Sequence, residues 1–283
     1  METPIASQSA NLTINAATIH FERYGSGGKP VLVICNGMNQ TTASWHRYLQ
    51  FLLPTHDVLL WEYGLVGDGH DRYMQFVDQL EGVIKTAVDK QEELHLMAVC
   101  YGGGVAHEYA LRHPLRIKSL IYSGVMLTPE IPGIERIQAF RKIYDGGMKQ
   151  ALVDIFFSSM LGTNLLLEFR TMPAEIYNNT VAKMSASFTS AFPILARLQT
   201  EYLLELRTAA HRPIVNIPTL LIIGEEDQIT TQAQQLKIVS LYAKIQVDHY
   251  PNVGHLTYME ATKQFFDRVC SHTTAGQNKW ELK

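Results

Sequence analysis

An apolar run, Leu94-His95-Leu96-Met97-Ala98-Val99, ends abruptly at Cys100 and is followed at once by Tyr101-Gly102-Gly103-Gly104. A short run of this kind suits a strand buried on both faces, and the segment after it is compatible with a helix. A sharp turn from strand to helix is crowded, so small residues must flank it. Here Ala98 stands two positions before Cys100 and Gly102 two positions after it. Such a turn presents its central side chain above the carboxyl end of a sheet instead of packing it into the core. Cys100 is therefore read as a nucleophile, and the chain as an α/β protein.

Three further stretches follow the same logic. Val31-Leu32-Val33-Ile34-Cys35 is a buried-strand pattern that runs into Asn36-Gly37-Met38-Asn39. Thr219-Leu220-Leu221-Ile222-Ile223-Gly224 is another, and it ends in Glu225-Glu226-Asp227. Pro251-Asn252-Val253-Gly254 leads to His255, just after the strand-like residues 245–250. Nucleophile, acid and histidine in this chain order, with the box Ala98-Val99-Cys100-Tyr101-Gly102, resemble the α/β-hydrolase superfamily, whose box reads G-x-S-x-G. The resemblance implies Asp227 as the acid that orients His255, and His255 as the base that serves Cys100. It also implies that the backbone N–H groups of Met38 and Tyr101 form the oxyanion hole. Glu225 and Glu226 read as solvated loop carboxylates, and Cys35 and Cys270 as packing residues.

The predicted elements alternate. Strand patterns occupy residues 12–24, 31–35, 58–61, 94–99, 117–122, 219–224 and 245–250, and helical patterns residues 42–53, 73–88 and 102–112. Alternation of this kind predicts an α/β-hydrolase fold, a doubly wound, mostly parallel sheet. From residue 128 to 212 only helical segments appear, broken at Pro132, Gly146-Gly147, Gly162, Pro173 and Pro193. The expected organisation is a core of residues 11–127 and 213–272, a helical cap of residues 128–212 that roofs the site, and a tail of residues 273–283. Phe156, Phe157, Met160, Leu161, Phe188 and Phe192 recur at helical spacing and are the expected substrate-binding residues of the cap.

With 283 residues, 46% of them hydrophobic, the chain suits one large domain with an insertion. A net charge of −3 gives no electrostatic case for nucleic acid or an anionic membrane. Residues 1–10 lack a basic start and an apolar stretch, and no run approaches the length of a membrane span, so neither a targeting segment nor a span is expected. Three cysteines argue for a reducing compartment, and a cytoplasmic location is expected. No metal-ligand spacing or phosphate-cradling loop appears, and no cofactor is expected.

A thiol nucleophile narrows the chemistry. Thiolate attacks thioesters readily, and the acyl-Cys formed stays activated toward a hydroxyl, an amine or water. Residues 36–45, Asn36-Gly37-Met38-Asn39-Gln40-Thr41-Thr42-Ala43-Ser44-Trp45, and Ile229-Thr230-Thr231-Gln232-Ala233 resemble a rhamnolipid-pathway family, the 3-(3-hydroxyalkanoyloxy)alkanoic acid synthases. Val99-Cys100-Tyr101-Gly102-Gly103 resembles the box of polyhydroxyalkanoate synthases, which use a Cys-His-Asp triad. Together they imply an acyltransferase acting on a hydrophobic acyl thioester of coenzyme A or an acyl carrier protein. Thioesterase or lactone and ester hydrolase activity, with the same triad, is the alternative.

Overall fold

The computed structural model describes residues 4–274 apart from residues 68, 70, 129, 189 and 209–212. Two strands come first, β1 (Gln8–Ile14) and β2 (Ala17–Tyr24). Asn15 and Ala16, at φ 49° and 65°, join them. Positive φ at both turn positions gives a two-residue connection whose twist matches antiparallel strands. After Gly25-Ser26-Gly27-Gly28 the chain enters β3 (Val31–Cys35), α1 (Leu49–Leu52), β4 (Asp57–Trp61), α2 (Gln75–Ala87), β5 (Leu94–Val99), α3 (Gly102–Arg112) and β6 (Ser119–Ser123). The helix expected over residues 42–53 is only α1, preceded by two tight 3-10 turns. The irregularity has a cause: Trp45 turns inward to donate from Nε1 to Asn36 Oδ1 (2.7 Å), and Thr42 is tied to Glu62 Oε1 through its N–H (2.9 Å).

Five helices follow before the chain returns to the sheet: α4 (Ile131–Asp145), α5 (Lys149–Met160), α6 (Thr163–Thr171), α7 (Ala174–Ser187) and α8 (Ala191–Thr208). Pro193 does not break a helix here. It lies in the first turn of α8, where a missing N–H costs nothing. The chain then adds β7 (Thr219–Gly224), α9 (Gln232–Leu236), β8 (Ile245–Tyr250), α10 (Thr257–Glu260) and α11 (Thr262–Thr274).

The eight strands form one sheet in the order β1-β2-β4-β3-β5-β6-β7-β8. The pairings of β2 with β1 and β4 are antiparallel, and all those from β4 to β8 are parallel. Every residue of β3, β5, β6 and β7 is buried, because helices cover both faces. Val31, Val33, Leu94, Leu96 and Ala98 face one layer with α2 and α3, while Leu32, Ile34, Met97 and Val99 face the other with α1 and α11. Among the described residues no helix is long and apolar enough to cross a membrane.

Candidate active site

The turn after β5 is as tight as its small residues require. Cys100 sits at φ 48°, its N–H donates to Ser123 O (3.0 Å), and its carbonyl accepts from Gly103 N–H (3.1 Å). A non-glycine residue in the left-handed region carries strain, and such strain concentrates where a side chain must be presented. A Cβ on Gly102 would lie 2.3 Å from Cys35 O and 2.7 Å from Asn36 O, so this position admits nothing larger. Tyr101 is buried among Tyr63, Tyr73 and Phe76, and its carbonyl accepts from Tyr73 Oη (2.8 Å).

Adjacent strands β7 and β8 deliver the other two residues at the same edge of the sheet. His255 Nδ1 donates to Asp227 Oδ2 at 2.8 Å, which leaves the other ring nitrogen for Cys100, which borders the same groove as His255. Asp227 Oδ1 accepts from the N–H groups of Ile229 (2.8 Å) and Thr230 (2.9 Å), and Oδ2 accepts from Gln235 Nε2 (3.0 Å). Burial opposes the imidazolium, but the Asp227 carboxylate and Cys100 outweigh it and hold the His255 pKa well above its ordinary value. Gly124, at φ 63° after β6, lets this ring approach: a Cβ there would be 2.8 Å from His255 Cε1.

The structure thus brings Cys100, His255 and Asp227 together. The neighbouring carboxylates are engaged elsewhere: Glu226 accepts from Thr163 N–H, and Glu225 lies 3.9 Å from His249 Nδ1. Cys35 is fully buried, and burial pushes its thiol up to about 12. Burial also raises the pKa of Cys270, whose sulfur accepts from Thr55 Oγ1 (3.3 Å). Gln235 was not legible as a site residue. It is buried on α9, donates to Asp227 and to Thr230 O (2.7 Å), and accepts from Gly124 N–H (3.2 Å). Nothing in its local sequence signals partners eight and 111 positions away.

The loop after β3 is braced by its own polar side chains. Asn36 donates to Trp61 O and accepts from Trp45, and its carbonyl accepts from Tyr63 Oη (2.6 Å). Gln40 Oε1 accepts from Gly37 N–H (2.6 Å), while its Nε2 donates to Tyr258 Oη (2.7 Å). Among the described residues the backbone N–H groups of Met38 and Tyr101 have no acceptor. Met38 borders the space around Cys100 and Tyr101 directly follows Cys100 in the turn, so their N–H groups are the candidate oxyanion donors.

Two spaces meet at Cys100. One runs under the cap and is lined by Met126, Ile137, Phe140, Phe156, Phe192 and Ala196, with Arg136, Gln199 and Thr230 as its main polar side chains. The other is a wider groove bounded by Gln40, Ser44, Arg47, Tyr48, Tyr258 and Met259. Met38, Phe156 and Ile229 border both. Of the expected cap residues, Phe156 and Phe192 line the first space, and Phe156, Met160 and Phe188 the second. The rings of Phe156, Phe188 and Phe192 also pack on one another at centroid distances of 5.0–6.2 Å, so they form the cap's own core as well. Leu161 is buried beside neither space. The Phe157 side chain lies outside the described residues. Among the described residues no group of three His, Cys, Asp or Glu side chains could hold a metal ion.

Residues 30–262 match the family model described as alpha/beta hydrolase fold. The chain is 26% identical to 2-hydroxymuconate semialdehyde hydrolase of Pseudomonas sp. (strain CF600), over 95% of both chains. It is 30% identical to the pimeloyl-[acyl-carrier protein] methyl ester esterase of Aeromonas hydrophila, over 48% of this chain and 55% of that one. An alpha/beta hydrolase enzyme from a Medee basin deep-sea metagenome library superposes with a TM-score of 0.81 at 18% identity, covering 97% of this chain and 100% of the other. The enol-lactonase from Burkholderia xenovorans LB400 superposes with a TM-score of 0.76 at 17% identity, covering 94% and 100%. These relatives are named as hydrolases, an esterase and a lactonase.

Proposed function

Because the chain belongs to the alpha/beta hydrolase fold family and sets a thiol against a buried His–Asp pair, we propose that it hydrolyses an ester, thioester or lactone with a hydrophobic acyl part, through an acyl-Cys100 intermediate. The observation that carries this reading is Cys100 set beside the hydrogen-bonded His255–Asp227 pair and opening onto an apolar space. His255 takes the Cys100 proton, and the thiolate attacks the carbonyl carbon. The oxygen that gains charge is received by the N–H groups of Met38 and Tyr101. Collapse expels the leaving alcohol, enol or thiol, which takes the proton from His255. Water then enters, gives a proton to His255 and attacks the thioester carbon; collapse releases the free acid and returns Cys100 as thiolate, which recovers the proton. Asp227 keeps the imidazole oriented and stabilises its cation throughout. Its two oxygens accept four hydrogen bonds, which fix its own orientation.

Hydrolysis is favoured over acyl transfer because the named relatives are hydrolytic and because the residues that carry the transferase resemblance have structural work here. Asn36, Gln40 and Trp45 brace the loop after β3. Transfer to a hydroxyl or amine is the second reading, supported by the thiol itself, since an acyl-Cys stays activated. The deciding experiment is a product ratio. The enzyme is incubated with medium- and long-chain acyl thioesters and aryl esters, with and without alcohol or amine acceptors, while intact-protein mass spectrometry follows the adduct. The expected result is an acyl adduct on Cys100 and free acid formed at a rate independent of acceptor. New ester or amide in place of acid would make the protein a transferase.

A further inference from the structure

One short segment of the cap is fastened to both loops that carry His255 and Asp227. Between α5 and α6, Met160 O accepts from His255 N–H (2.6 Å) and Ser159 O accepts from Gln228 N–H (3.3 Å). Gly162 N–H donates to Glu260 Oε2 (2.7 Å), and Gly254 N–H donates to Glu260 Oε1 (3.0 Å). One carboxylate thus holds the cap with one oxygen and the residue before His255 with the other. The backbones touch closely enough to require glycine on both sides. A Cβ on Gly162 would be 2.3 Å from Asn252 O, and one on Gly254 would be 2.4 Å from Met160 O. Glu260 sits at the end of α10, which starts two residues after His255, so it shares a rigid frame with the histidine. Burial, together with the nearby Asp227 and Glu226 carboxylates, raises its pKa against the pull of the two glycine N–H groups.

We infer that Glu260 is a positioning residue: it seats the cap on the His255 loop, so that closure of the acyl space and alignment of His255 with Cys100 are one event. This rests on the reading of Cys100 and His255 as the working pair. Among the described residues no other side chain accepts from the Gly162 or Gly254 N–H, and the two backbones are too close to admit a Cβ between them, while Glu226 ties the adjoining Thr163 N–H to the Asp227 loop. A loose histidine loop would leave the cap and the sheet folded while misplacing the base, and misplacement by about 1 Å can cost ~100-fold in rate.

The test uses iodoacetamide on the full chain, with peptide mass mapping to score Cys100 separately from Cys270, across a pH series. Glu260→Gln keeps the shape but sets an amide NH2 against one of the two glycine N–H groups. The expected result is a Cys100 alkylation profile displaced from that of the wild type, a kcat lowered ~100-fold and a KM changed by less than about threefold. The melting temperature should stay close to wild type. Gly162→Ala pushes the cap away from the other side with Glu260 intact, and it should reproduce the displaced profile. Wild-type alkylation profiles in both variants would overturn the inference, as would losses that simply follow lowered melting temperatures. A wild-type protein that forms no adduct at Cys100 from any acyl donor would instead bring down the hydrolase reading.

Discussion

The sheet and the cap are built on different terms. The central strands are buried along their whole length and interleave two apolar layers, whereas α6 and α7 expose Leu167, Ile176 and Tyr177, and the cap's own core is a small cluster around Phe140, Leu152, Val153, Phe188 and Phe192. On the proposed function, chemistry belongs to the first region and substrate contact largely to the second. The sheet can hold Cys100 at a strained φ because its neighbours over-determine the turn: Gly102 against Cys35 O, Gly103 against Val125, Cys100 N–H on Ser123 O. The cap's constraints lie at its seams with the core: the α5–α6 segment meets the loops of His255 and Asp227, Arg136 donates to Gln228 O and Ile229 O, and Tyr202 Oη donates to Glu108. A fold that divides its work in this way can change substrate without moving its reacting atoms.

The sharpest way to break this comparison is at the triad. Cys100→Ala should abolish the acyl adduct and lower turnover on the order of 10⁶-fold, while leaving the melting temperature near wild type. Asp227→Asn should cost roughly 10⁴-fold by removing the acceptor that fixes the His255 tautomer. Glu226→Gln should fall far short of that, because Glu226 caps α6 through Thr163. An adduct persisting in Cys100→Ala, or a Glu226→Gln defect exceeding that of Asp227→Asn, would show that the sheet does not place the chemistry as described.

A second test asks whether the sheet alone carries the acid sensitivity of the fold. His56, His95 and His272 are buried at the end of the sheet opposite the active site; His95 Nδ1 shares a hydrogen bond with Ser119 Oγ (2.8 Å), and its ring stands edge-on to His56. Burial, with mutual repulsion and nearby Lys29, Lys118 and Arg268, pushes them down to about 4, 3 and 4 respectively. Each therefore takes up a proton on unfolding once the pH drops below about 6.5, and none in the folded protein until near pH 4. Stability should fall across that window by about 1.4 kcal/mol per pH unit for each histidine. His255 has the opposite sign: its raised pKa contributes stability that is complete below about pH 6.5 and is lost as pH rises through the folded value. Urea titrations from pH 7 to 4.5 should show the decline, and His95→Gln should flatten it by roughly a third. An unchanged slope would place the acid sensitivity elsewhere.

The smallest effect belongs to the cap. If Phe156 and Phe192 contact the acyl chain, replacing either with Leu should shift chain-length preference by up to about 0.8 kcal/mol per methylene in contact. The ratio of kcat/KM across a homologous ester series measures it. A lowered melting temperature with an unchanged chain-length profile would mean that these rings only pack against one another.

What the chain discloses by inspection follows the same division. β3, β5 and β7 were legible because burial on both faces gives uninterrupted apolar runs, and Cys100 because a crowded turn leaves small residues behind. Asp227 could be chosen over Glu225 and Glu226 from its distance beyond the strand. The supports of the site were not legible. Gln235, Gly124 and Glu260 each act through partners distant in sequence, and a lone Gln, Gly or Glu in a short helix or loop looks like any other. The segment of residues 42–53 misled for a related reason. Its apolar spacing suits a helix, but the tertiary bonds of Trp45 and Thr42 tighten it into 3-10 turns.

The two spaces that join at Cys100 carry a kinetic consequence. On the hydrolase reading the acyl chain occupies the narrower space under the cap, so the alcohol or thiol departs by the wider groove past Tyr48 and Met259. That same passage is the natural way in for the second reactant while the acyl chain is still seated. Departure and arrival then exclude one another, and turnover becomes a double displacement with a shared doorway. The first product should compete with water or any other incoming nucleophile, and at high concentration it should drive the acyl-enzyme back to the starting ester.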